Sequence, residues 1–193
     1  ALMVSTAPQD AALEIAKTAG VATMGDNFFN GALTSTNSTV VVASNVTASF
    51  GDNGAFVGGS FSSASATGFL DIPGSLTFTG TTVNGAANIL CGVDFTADAN
   101  FAPTSGEVVL GGFFPHSLNV AGSFFDLTLS RAGLTTVNAG AVAGDLTIGA
   151  ASGGLSIAAG VTFAVGGDVT MAGGSLTSGD AAAILDIAGA FTM

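Results

Sequence analysis

Positive charge is the scarcest commodity in this sequence. Lys17 and Arg131 are its only Lys or Arg residues, against 13 Asp and Glu, and the formal net charge is −11. Two cations cannot neutralise a run of phosphates, so nucleic acid is excluded as a partner. An anionic membrane surface is excluded on the same ground. A polysaccharide lyase needs basic groups to bind substrate carboxylates and abstract a proton, and the chain lacks the means. There is no Trp and no Tyr, which removes the usual stacking platforms for sugars. One cysteine, Cys91, leaves no internal disulfide and no thiolate zinc site. Its setting, Ile-Leu-Cys-Gly-Val, reads as that of a small buried hydrophobe. No apolar run approaches the ~18 residues of a membrane span.

What is abundant is apolar and small. Hydrophobic residues make up 48% of the chain and glycine 29 of its 193 positions. No triplet glycine period exists, which excludes collagen, and the regular alternation of apolar with polar residues argues against disorder. Charged residues are 8%, so solvation must rest on Ser, Thr, Asn and Asp.

A short phrase recurs: small or polar, bulky apolar, Thr or Ser, then apolar. Its clearest copies are Gly-Asp-Leu-Thr-Ile at 144–148, Gly-Asp-Val-Thr-Met at 167–171 and Gly-Ala-Phe-Thr-Met at 189–193. The bulky residues Leu146, Val169 and Phe191 are spaced 23 and 22 apart. That is the spacing of one coil in a β-solenoid. Stacked coils would place these three in an internal column and Thr147, Thr170 and Thr192 in an external one, with rungs about 4.8 Å apart. Looser copies centre on Leu33, Val46, Phe61, Leu76, Phe95 and Leu127, with steps of 13, 15, 15, 19 and 32. The first half therefore reads as either hairpins or rungs with variable loops. Pro73, Pro103 and Pro115 fall outside the phrases, as Pro must if these are paired central strands. The 15 Phe residues read as internal stacks.

The first twenty residues differ in texture. Thr6 and Gln9 have capping-box spacing, Pro8 suits a first helical turn, and Gly20 suits a C-cap. A short helix is expected over about 7–19, too short to stand alone. The fold class is thus all-β, a parallel β-solenoid or β-helix with a short N-terminal α-helix. Residues 1–50 are expected to form a helix-and-strand arm or cap, and 51–193 the solenoid. Opening at Ala1 without a leader segment, the chain reads as a mature, processed form.

One stretch carries a more specific likeness. It runs Phe-Ala-Pro-Thr-Ser-Gly-Glu-Val-Val-Leu-Gly-Gly at 101–112, Ser-Leu-Asn-Val at 117–120 and Phe-Phe-Asp-Leu-Thr-Leu at 124–129. This resembles the repeats of large secreted bacterial surface proteins of the haemagglutinin and autotransporter-like class, across about residues 55–193. The resemblance implies a right-handed parallel β-helix, secretion, and a structural or adhesive role.

Candidate sites are few. His116, in Phe-Phe-Pro-His-Ser, reads as a loop or surface residue rather than as the base of a Cys91–His116 nucleophile pair. Asp145 and Asp168 occupy the same place in successive phrases. They are expected to be solvated turn residues or, alternatively, calcium ligands, since hard oxygen donors suit that ion. Thr77-Phe78-Thr79 is noted as a Thr-x-Thr element of the kind an ice-binding face uses. Asn37-Ser38-Thr39 and Asn45-Val46-Thr47 fit the glycosylation sequon. No catalytic residue and no cofactor is expected, calcium excepted. The expected function is a non-enzymatic structural protein that self-assembles into an extracellular filament or surface array. Its partner is then itself, with other cell-surface components as further contacts. The alternative is an adhesin or virion-fibre binding module.

Overall fold

A computed structural model describes residues 12–16 and 20–193, and every regular element among them is a β-strand. The chain winds as a parallel β-solenoid with three faces. The first face stacks nine strands: β1 (Leu13–Ala16), β4 (Leu33–Thr36), β7 (Gly54–Val57), β10 (Leu76–Thr79), β12 (Phe95–Ala97), β14 (His116–Val120), β16 (Thr135–Ala139), β19 (Gly154–Ile157) and β22 (Ser175–Ser178). The second also stacks nine: β3 (Asn27–Phe29), β6 (Thr47–Phe50), β9 (Phe69–Ile72), β11 (Ile89–Cys91), β13 (Glu107–Leu110), β15 (Asp126–Leu129), β18 (Leu146–Ile148), β21 (Val169–Met171) and β24 (Phe191–Thr192). The third face is interrupted. It pairs β2 (Val21–Met24), β5 (Thr39–Val42) and β8 (Ser60–Ser63) near one end, and β17 (Ala141–Val142), β20 (Thr162–Val165) and β23 (Ile184–Ile187) near the other. Isolated bridges such as Val83–Phe101 and Phe124–Val142 continue it through the middle.

Each strand pairs with the strand one coil away, always in parallel. Alternation then sorts the side chains, because successive residues point to opposite faces of a strand. Leu33, Gly54, Leu76, Phe95 and Leu118 make one inner column on the first face, in steps of 21, 22, 19 and 23 residues. On the second face Leu70, Ile89, Val108, Leu127, Leu146 and Val169 make another, and every one of them is buried. Each such side chain contributes about 1.5–3 kcal/mol when removed from water. In the middle of the rod the interior is filled by Phe56, Phe61, Phe78, Phe95, Phe101 and Phe124, whose neighbouring ring centroids lie 4.9 to 5.9 Å apart. Phe29 and Phe50 form a separate stack at 5.1 Å.

One expectation changes here. Leu13–Ala16, inside the expected helix, are β1, paired residue for residue with Leu33–Thr36. An isolated helix of that length has no partner for its apolar stripe, whereas the edge of β4 offers both ladder hydrogen bonds and an inner position for Ile15, which is buried. Residues 7–11 and 17–19 of that expected helix lie outside the described residues. Pairing also runs without a break across residue 50, since β6 joins β3 to β9.

Candidate functional site

The recurring Gly-Asp phrase has a mechanical explanation. Asp126 Oδ1 accepts the backbone N–H of Asp145 at 2.8 Å, Asp145 Oδ1 that of Asp168 at 2.8 Å, and Asp168 Oδ1 that of Ala190 at 2.8 Å. Each carboxylate thus ties its own corner to the same corner of the next coil. The glycine before each donor is required by this bond. A Cβ on Gly144, Gly167 or Gly189 would collide with the Oδ1 of Asp126, Asp145 or Asp168 respectively. Asn53 performs the same task with a neutral side chain, accepting the Ser75 N–H at 2.7 Å beside Gly74. Asp94 does so with Ser117 at 2.8 Å. Asp145 and Asp168 are therefore on adjacent rungs and exposed, as the phrase spacing implied. Among the described residues no three His, Cys, Asp or Glu side chains converge as a metal centre requires.

Outward from these corners, Thr128, Thr147, Thr170 and Thr192 form one external column in register. The same column continues the other way through Val109, Leu90 and Asp71. Leu90, Val109 and Asp71 line a pocket of about 490 Å³ walled by Gly112, Phe113 and Phe114. Phe113 and Phe114 are 85% and 74% exposed, in contrast to the buried ring cluster. They sit on the 111–115 turn between β13 and β14. Sequence reading assigned Phe to the interior as a class and so missed this pair. The available signal was local: two consecutive Phe between Gly-Gly and Pro leave no strand alternation to bury both.

Behind the pocket wall lies a polar corner inside the solenoid. His116 is not a loop or surface residue. It opens β14, shares its inward face with Leu118 and Val120, and is 3% exposed. Pro115 ends the turn one residue earlier, so alternation sends the imidazole inward. Cys91 is buried as expected, and its Sγ approaches the carbonyl oxygens of Gly74 (3.5 Å), Asp94 (3.6 Å) and Val93 (3.7 Å), not His116. Burial pushes the Cys91 thiol up to about 11. A protonated thiol without a base is a poor nucleophile. Arg131 is fully buried, and its Nη2 donates to the Cys91 carbonyl at 3.4 Å. Desolvation lowers its pKa to about 10, opposed by the nearby Cys91 and Asp94, so it stays cationic at neutral pH.

No family model matches this chain, and no curated protein or solved structure matches it either.

Proposed function

We propose that the chain is a non-enzymatic structural protein whose coils stack end to end into an extracellular filament or surface array. One observation carries this reading. Among the described residues the coil made by β22, β23 and β24 pairs on one side only, and two of its inward residues lie open. Leu176 is 42% exposed although its partner Leu155 one coil earlier is 0% exposed. Phe191 is 43% exposed although its partner Val169 is 0% exposed. The columns stay in register through this coil. Unpaired N–H and C=O groups beside apolar columns are a template for another parallel coil. A second copy supplies one at its β1 end, and a contact between unlike ends propagates into a fibre. The likeness to secreted bacterial surface repeats and the shortage of Lys and Arg both suit life outside the cell.

The test is sedimentation velocity with electron microscopy of the purified chain over a rising concentration series. Helical polymers are expected, and Leu176→Asp with Phe191→Asp should leave monomers of unchanged circular dichroism. A wild-type chain that stays monomeric at high concentration removes the proposal. Phe113 and Phe114 favour a second reading, a binding module of the adhesin or virion-fibre kind. Discrete trimers, in place of polymers, would support it.

A further inference from the structure

Six buried side-chain nitrogen or oxygen atoms have no hydrogen-bond partner among the described residues, and five of them belong to one corner. They are Nδ1 and Nε2 of His116, Nε and Nη1 of Arg131, and Oγ1 of Thr135. Native interiors leave few such atoms unpaired, and a cluster requires an explanation. The topology brings these three residues together. His116 and Thr135 are Cα partners on adjacent coils. Arg131 stands four positions before Thr135 and reaches down two coils to the Cys91 carbonyl. Its side chain therefore passes the level of the intervening coil. That coil is marked by Gly112, whose carbonyl accepts the Ala132 N–H at 3.3 Å. The Cβ direction of Gly112 lies 3.6 Å from His116 Nε2. Guanidinium, imidazole and hydroxyl thus share a corner walled by glycine backbone.

The chemistry of the corner is that of a donor set with a positive charge. Arg131 has three N–H bonds on Nε and Nη1 without an acceptor, Thr135 adds an O–H, and a neutral imidazole adds one N–H. No carboxylate completes an ion pair with Arg131 among the described residues. Asp94 is near enough to act electrostatically, but its Oδ1 is taken by the Ser117 N–H. A buried, unpaired charge is among the costliest features a fold can carry, unless a counter-charge meets it. We infer that Arg131, His116 and Thr135 form an internal anion site that takes one small monovalent anion of the halide or nitrate class. One negative charge balances the single guanidinium, and enclosure restricts the occupant to a few atoms. Gly112, in the 111–115 turn beside the corner, is exposed. The corner does not depend on end-to-end stacking.

The probe is bromide. Diffraction data at the bromine edge from crystals of the unmodified chain soaked in sodium bromide should show an anomalous peak within hydrogen-bond reach of Arg131 Nη1 or Nε. In solution, replacing sodium gluconate by sodium bromide at fixed ionic strength should raise the unfolding temperature until the site saturates. Arg131→Met, which removes the donors and the charge while filling similar volume, should lose that response. No bromide peak at the corner, ordered water only, or an equal bromide response in both proteins would each overturn the inference. The diffraction arm needs no variant, so a failure of Arg131→Met to fold does not rescue it.

Discussion

Replacing Asp145 by Asn and by Ala separates what its carboxylate does as an acceptor from what it does as a charge. Both changes remove the negative charge. Asp126 and Asp168 flank it on adjacent rungs, about 4.8 Å away along the ladder. In a water-like dielectric each adjacent pair costs about 0.9 kcal/mol, roughly halved by salt at physiological ionic strength. Relief of that repulsion is common to both variants, so it cancels in their difference. Only Asn keeps an oxygen for the Asp168 N–H now bonded at 2.8 Å, and Asn53 already plays that part for Ser75. A hydrogen bond of this kind is worth about 0.5–1.5 kcal/mol net. Asp145→Asn should therefore equal or slightly exceed the wild type, and Asp145→Ala should lie about 1 kcal/mol below Asp145→Asn. Urea unfolding followed by circular dichroism, at low and at physiological salt, measures both numbers. Equal stability of the two variants would refute the corner-tie argument. If instead added calcium stabilises the wild type and neither variant, the carboxylates are metal ligands and the ladder is secondary.

Other consequences follow from packing and titration. Phe78→Ala, in the centre of the ring cluster, should cost about 3–5 kcal/mol in urea unfolding, while Phe113→Ala should stay within about 0.5 kcal/mol. Gly167→Ala drives a methyl into Asp145 Oδ1 and to 2.6 Å from the Gly144 carbonyl, and should cost about 1–3 kcal/mol. Its control is Gly111→Ala, which meets nothing within 4 Å, with little change expected in the same melting assay. Burial raises the Cys91 thiol from 9.0 to about 11, so the folded state holds a proton that the unfolded chain gives up. That contribution is complete below pH 9.0 and is lost as pH rises towards 11. Stability should therefore begin to fall as pH passes 9.0, a slope that Arg131, whose folded-state pKa is lowered to about 10, opposes as it titrates. Cys91→Ala should flatten that slope in thermal melts across the window.

The repeat was legible where one face was being followed and illegible where the eye changed face. Leu127, Leu146, Val169 and Phe191 all belong to the second face, and their steps of 19, 23 and 22 are true coil lengths. The steps of 13, 15 and 15 are not. Leu33 and Leu76 lie on the first face, Val46 borders the second, and Phe61 lies on the third. Each strand of any face obeys the same period of two, so nothing local in the sequence tells one face from another. The alternation also held the answer for His116, since His-Ser-Leu-Asn-Val places it in phase with two core residues. The internal corner could not be read at all. His116 and Thr135 meet only because a coil of 19 residues brings them into register, and that pairing is invisible until the faces are assigned.

The uniform one-coil pairing has a mechanical consequence. Each coil contributes a single rung, about 4.8 Å, to the length of the rod, yet contains 19 to 23 residues in the span from Leu33 to Leu118. Peeled from the end of the stack, one coil would release roughly 65–80 Å of extended chain. Among the described residues every strand ladder joins neighbouring coils alone, and the Arg131 bond to the Cys91 carbonyl is a single tie across two. Under axial load such a rod would yield in steps, lengthening more than tenfold per lost rung while the remaining coils keep their shape. Tension would thus be dissipated locally, one turn at a time, in the manner of a ratcheted tether.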